Sequence, residues 1–114
     1  MRIKFKIWIE SDNGTPILGK GGVKLLRSVS ETGSISEASK RVGVSYKFAW
    51  EYLKKINDLL GGIEMKKGGK GAGGTILSDK VLKVLEIYEE AEREIQTVLE
   101  KYEKKLNEIL ENNQ

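Results

Sequence analysis

The stretch TGSISEASKRVGVSYKFAWEYLKKIN, residues 32–57, decides the fold. Two helical patterns meet in it at a tight Gly43-Val44-Ser45 corner. Ser34-Ile35-Ser36-Glu37 is a capping box: the Ser34 hydroxyl suits the amide three residues on, and Glu37 can reach back. The helix it opens runs to about Val42. Ser45 is a good N-cap for the next helix, which runs to about Leu60. That helix has an inward stripe of Ala49, Leu53, Ile56 and Leu60. Two helices joined by so short a corner form a helix-turn-helix. Ala38 is small where the helices should cross, and Val42 and Val44 can fill the core beneath the corner. The second helix then presents Tyr46, Lys47, Phe48 and Trp50 within one and a half turns.

Upstream, residues 2–9 alternate. Ile3, Phe5, Ile7 and Ile9 share one face and Arg2, Lys4, Lys6 and Trp8 the other, the pattern of a half-buried strand. SDNGTP (11–16) is a turn cluster, and residues 20–31 read as a helix that Gly33 stops. Downstream, Gly61-Gly62 ends the second helix of the pair. IEMKK (63–67) and TIL (75–77) are short strands flanking GGKGAGG (68–74), a β-hairpin with a glycine-rich tip. Ser78-Asp79 caps a last helix. Its positions Val81, Leu85, Tyr88, Glu92, Ile95, Leu99, Tyr102, Leu106 and Ile109 alternate steps of four and three, a heptad seam. Such a helix is about 50 Å long at 1.5 Å per residue. One small domain does not bury so long a stripe, so a partner helix is expected. The expected fold is mainly α with a small β component. A winged helix-turn-helix domain spans 1–77, and a long dimerisation helix spans 78–114.

The composition excludes several functions. The 114 residues are 39% hydrophobic and 32% charged, enough for one domain with a modest core. There is no cysteine and no histidine. That removes disulfides, thiolate metal sites and the commonest general base. No cofactor or metal is expected, nor an enzyme. No apolar run is long enough for a membrane span, and MRIKFKIWIE lacks the apolar region of a signal peptide, so a cytoplasmic, nucleoid-associated protein is expected. The net charge of +3 is unevenly spread. Residues 1–77 hold 14 Lys/Arg against 7 Asp/Glu, and residues 78–114 hold 6 against 10. A basic front fits a polyanion such as nucleic acid.

Two motifs are set aside. Gly69 to Gly74 matches G-x-G-x-x-G in letters, but a strand rather than a helix follows it, so a dinucleotide site does not fit. Gly69-Lys70 is followed by Gly71 rather than Ser or Thr, so a P-loop does not fit either. The glutamates of the last helix form its solvated face. The sites left are those of a double-stranded DNA binder. The first residues of the second helix of the pair touch base edges in such units. Here they are Ser45, Tyr46, Lys47 and Trp50, with Lys54 on the Lys47 face. Phe48 suits the core, and Trp50 suits packing and contact equally. The helix start at Ser34 and Ser36 offers free amides to a phosphate, with Thr32 as a further hydroxyl. Lys66, Lys67 and Lys70, with Gly69 and Gly71, would lie along the backbone from the hairpin tip. Dimerisation is expected through Val81, Leu85, Tyr88, Ile95, Leu99, Tyr102, Leu106 and Ile109.

TGSISEASKRVGVSYKFAW, the glycine-rich GGKGAGG and the Leu77-Ser78 pair resemble the DNA-binding domain of ModE-type molybdate-responsive regulators, a winged helix related to the LysR-type N-terminal domain. Thr32 to Ser36, Ala38, Ser45 to Lys47, Ala49, Trp50 and Gly68 to Gly74 match the family pattern, which covers residues 19 to about 90. Ser39 stands where the family has a second Ala, and Ser78 where it has Thr. The resemblance implies DNA binding and dimerisation through the long helix. In full-length regulators a molybdate-binding region follows that helix. This sequence ends at Gln114, so no small-molecule effector is expected.

Overall fold

The computed structural model describes residues 1–66 and 74–112. Two short strands, β1 (Ile9–Glu10) and β2 (Pro16–Leu18), precede three helices: α1 (Lys20–Thr32), α2 (Ile35–Val42) and α3 (Tyr46–Leu60). A hairpin of β3 (Ile63–Lys66) and β4 (Gly74–Leu77) follows, then α4 (Asp79–Glu111). The order of helices, hairpin and long helix is the expected one. The fold is mainly α, and the described residues form two two-stranded antiparallel sheets. The hairpin pairs Ile63 with Leu77 and Lys66 with Gly74.

Local chemistry sets the boundaries. Gly33 and Gly43 close α1 and α2 at φ of 67° and 84°, left-handed values that suit glycine. The Ser34, Ser45 and Ser78 hydroxyls accept from the amides of Glu37, Phe48 and Val81 at 3.1, 3.0 and 3.3 Å. Only half of the capping box forms. The Ser34 amide donates to Thr32 Oγ1 (3.2 Å) instead of to Glu37, whose carboxylate turns to Lys40. Replacing Ser45 by alanine should therefore cost about 1 kcal/mol in urea unfolding. Glu37→Gln should cost almost nothing, because an exposed ion pair contributes little.

The core gathers one face from each helix. Leu25, Leu26 and Val29 of α1, Ile35 and Ala38 of α2, and Ala49, Leu53 and Ile56 of α3 are buried with Ile63 and Leu77 of the hairpin. Ala38 is fully buried where α2 packs, and Val42 and Val44 lie partly buried against the core. Arg27 on α1 makes a two-pronged bond to Glu89 on α4, with Nη2–Oε1 at 2.6 Å and Nε–Oε2 at 3.2 Å. The Glu89 carboxylate beside it holds the guanidinium pKa above its ordinary value.

Three expectations need correction. Residues 1–8 are extended but join no ladder. Only Ile9 and Glu10 pair with β2, because β2 is too short to reach further. The segment lies instead along α4: Tyr88 Oη donates to the Ile7 carbonyl (3.0 Å), and Asn107 bonds the Met1 nitrogen (2.8 Å) and carbonyl (3.0 Å). Second, Val81, Leu85 and Tyr88, expected to face a partner helix, are buried in the chain's own core. A heptad marks one face of a helix but not what covers it. Beyond Tyr88 the positions divide. Ile95, Leu99 and Leu106 are half-buried, while Tyr102 and Ile109 are exposed. Exposed Ile87 and Val98 fall within about 60° of Tyr102 and Ile109 around the helix at 100° per residue. The third correction is Phe48, which is 54% exposed rather than in the core.

Candidate nucleic-acid interface

α3 has three kinds of face. With Ala49, Leu53 and Ile56 turned inward, Lys47, Glu51, Lys54 and Asp58 point outward at the 100° spacing of a helix. All four are exposed. Aromatic pairs four residues apart flank this strip. Tyr46 stacks on Trp50 with centroids 6.4 Å apart and planes at 20°, and Phe48 stacks on Tyr52 at 6.1 Å and 21°. The outward strip carries as many acids as bases, but the first turn of α3 holds no acid. Tyr46 is exposed, as expected, and Trp50 is half-buried against the core.

The hydroxyls are mostly committed to the backbone. The single Thr32 Oγ1 proton has two carbonyl acceptors in reach, Ser28 (2.8 Å) and Ser34 (3.0 Å), and the oxygen accepts from the Ser34 amide. It shapes the α1–α2 turn. Ser34 and Ser45 accept helix amides, yet each keeps its own O–H for an incoming acceptor. The Ser36 side chain is exposed at the start of α2.

The hairpin is fastened to the α1–α2 turn near the loop end of its ladder. The Thr75 amide on β4 donates to the Gly33 carbonyl at 3.1 Å, so β4 abuts the turn that opens α2. Thr75 is buried there. Lys66 is exposed at the end of β3, 3.7 Å from Glu64. Lys67, Gly69, Lys70 and Gly71 lie outside the described residues.

At its far end α3 is held from three directions. The Ile63 amide donates to Asn57 Oδ1 (2.9 Å), the Gly61 amide to the Asn57 carbonyl (2.7 Å), and Lys80 Nζ to the Leu60 carbonyl (2.6 Å). The helix that presents Tyr46 and Lys47 is thus braced against the hairpin and the start of α4.

Sequence reasoning missed the Phe48–Tyr52 pair. The available signal was the spacing of four, and what hid the outcome was Gly22. That glycine lets the Tyr52 hydroxyl end lie against α1, where a Cβ would collide with it. Tyr52 is half-buried and its hydroxyl pKa is raised by the loss of solvent. Phe48 stacks over it from outside. Among the described residues no helix is long and apolar enough to cross a membrane.

No family model matches the chain. Individual proteins do. The molybdenum-pterin-binding protein MopB of Rhodobacter capsulatus is 37% identical over 92 residues, 79% of this chain and 34% of its own length. The molybdenum transport protein ModE of Azotobacter vinelandii is 32% identical over 110 residues, 95% of this chain and 40% of its own. The DNA-binding transcriptional dual regulator ModE of Escherichia coli is 36% identical over 69 residues, 59% of this chain and 26% of its own. The chain thus spans well under half the length of these curated relatives. Their names agree with the resemblance carried by the Thr32–Trp50 stretch and the glycine-rich loop: over most of its own length this chain is a relative of the ModE-type molybdenum regulators.

Proposed function

We propose that the protein is a sequence-specific double-stranded DNA-binding transcription regulator that acts as a homodimer. The observation that carries this reading is the first turn of α3. It is exposed and acid-free, and it is capped by a serine with a spare O–H. α2 packs beside the helix in a basic domain, and the hairpin is fastened to the turn that opens α2. In this reading Ser45, Tyr46, Lys47 and Trp50 approach base edges and sugars in the major groove, with Lys54 behind them. The α2 start at Ser34 and Ser36 takes a phosphate, and the hairpin lies along the flanking backbone as a wing. Residues 1–77 form the DNA-binding unit, and α4 beyond Tyr88 joins the two copies. Two α3 helices related by a two-fold axis favour an inverted-repeat site.

Selection from a random duplex pool at two salt concentrations tests the proposal. An enriched inverted repeat is expected, with affinity falling steeply with salt. Salt-steep capture with no enriched sequence would replace it with an architectural DNA-binding role of low specificity. No capture at low salt would remove DNA from the function altogether.

A further inference from the structure

The extended segment before β1 is a strand without a sheet. Residues 2–8 make no hydrogen bond to another strand among the described residues. Their side chains nevertheless alternate as in a ribbon. Ile3, Phe5 and Ile7 are half-buried, while Arg2, Lys4, Lys6 and Trp8 are exposed. The carbonyls that α4 takes are those of Met1 and Ile7, six residues apart. In an extended chain, groups an even number of residues apart point to the same edge. One edge is therefore turned to α4. The other edge, made by the N–H and C=O groups of Arg2, Lys4, Lys6 and Trp8, has no partner strand among the described residues.

We propose that this edge pairs with the same edge of a second copy of the chain, as an antiparallel two-stranded ribbon with Phe5 opposite Phe5. The inference rests on the homodimer reading and specifies its contact. Three features favour the second copy as occupant. The first is register. With Phe5 on the two-fold axis, all four even residues fall in hydrogen-bonded pairs, Arg2 with Trp8 and Lys4 with Lys6. Ile3 meets Ile7 on the apolar face, and Arg2 meets an indole on the outer one. A shift of one residue would turn the apolar set to solvent. The second is charge. Residues 1–9 hold three bases and no acid, whereas residues 89–111 of α4 hold eight acids against four bases. Lys4 opposite Lys6 is a like-charge pair, and the acidic excess of the two α4 helices beside the ribbon offsets that repulsion. The third is continuity. The segment lies along α4 between Tyr88 and Asn107, the stretch that also carries exposed Val98 and Tyr102.

The chain has no cysteine, so single-cysteine variants report the pairing directly. Opposite residues of a non-hydrogen-bonded pair have Cα atoms about 4.5 Å apart, within disulfide reach. Phe5→Cys alone should give a covalent dimer on mild oxidation. Ile3→Cys and Ile7→Cys should give one only when mixed. Should Phe5→Cys fail to fold by circular dichroism, the Lys4 variants decide. Lys4→Pro removes two inter-strand bonds per dimer and should weaken dimerisation about 10-fold or more, while Lys4→Thr leaves it within about 2-fold. A folded Phe5→Cys protein that sediments as a dimer yet forms no disulfide would overturn the ribbon and leave the homodimer standing. Equal dimerisation of Lys4→Pro and Lys4→Thr would overturn it too. An unsubstituted chain that sediments as a monomer would remove both.

Discussion

Gly62→Ala should cost about 3 kcal/mol of stability and lower the melting temperature by about 10 °C. Gly62 sits at φ +81°, a left-handed value at which a Cβ is strained by about 1–2 kcal/mol. The site is also closed. A Cβ there would collide with the Ser78 hydroxyl and come within 2.9 Å of Val81 Cγ2. Neither neighbour has an easy way out. Ser78 Oγ holds the Val81 amide, the Ser78 amide donates to the Gly62 carbonyl at 2.8 Å, and Val81 is fully buried. Relieving the clash means lifting the start of α4 from the corner, which adds an overpacking cost of about 1–3 kcal/mol. Gly43→Ala is the control. It has φ +84° but nothing within 4 Å of the added carbon, so only the conformational part, about 1 kcal/mol, should appear. Urea unfolding of the two variants separates the terms. Equal losses would mean that α4 gives way freely. The same corner carries the Leu60–Lys80 bond, so the surviving Gly62→Ala protein should also hold α3 less firmly and bind DNA more weakly.

That corner also shows which features are legible in a sequence. Caps and stops are local. Ser34, Ser45, Ser78, Gly33 and Gly43 act on amides and carbonyls within four residues, so the residue types alone set the helix boundaries. The inward stripe of α3 was legible for a similar reason, since Ala49, Leu53 and Ile56 have one face to choose. Coverage is not local. The alternation of Ile3, Phe5 and Ile7 specifies half-burial, but the segment is held along an α-helix rather than in a sheet, and no period distinguishes the two. The seam of α4 is continuous in sequence, yet Val81, Leu85 and Tyr88 are consumed by the domain, and an adjoining stripe with Ile87 and Val98 is left in the open. Phe48 is the sharpest case. Its spacing from Tyr52 equals that of Tyr46 from Trp50, and only the close approach of α1 at Gly22 decides how the two pairs lie.

The second large effect should come from the first turn of α3. Lys47→Ala is expected to weaken binding to a selected site by about 10- to 100-fold, the loss of one good base contact. Its signature depends on what the ammonium touches. A base-edge contact would relax preference at one position of each half-site and leave the salt slope nearly unchanged. A phosphate contact would weaken all sequences alike and reduce the slope by about 1 per lost contact. Tyr46→Ala removes the ring stacked on Trp50 and, in the proposed docking, where that ring covers sugar or a thymine methyl, should add a further loss of about 10-fold. Glu51→Gln should move the other way. Its carboxylate lies one turn behind Lys47 on the outward strip, where it opposes any phosphate that approaches the helix. Removing that charge should tighten binding to every sequence by a few-fold at low salt, with the gain shrinking as salt rises. Lys47→Ala and Glu51→Gln are therefore expected to shift affinity in opposite directions, with Lys47 alone altering sequence preference if it touches a base. If Lys47→Ala, Tyr46→Ala and Glu51→Gln all leave affinity and preference unchanged, α3 is not the reading helix, and the basic front of the domain meets DNA through the hairpin and α2 alone.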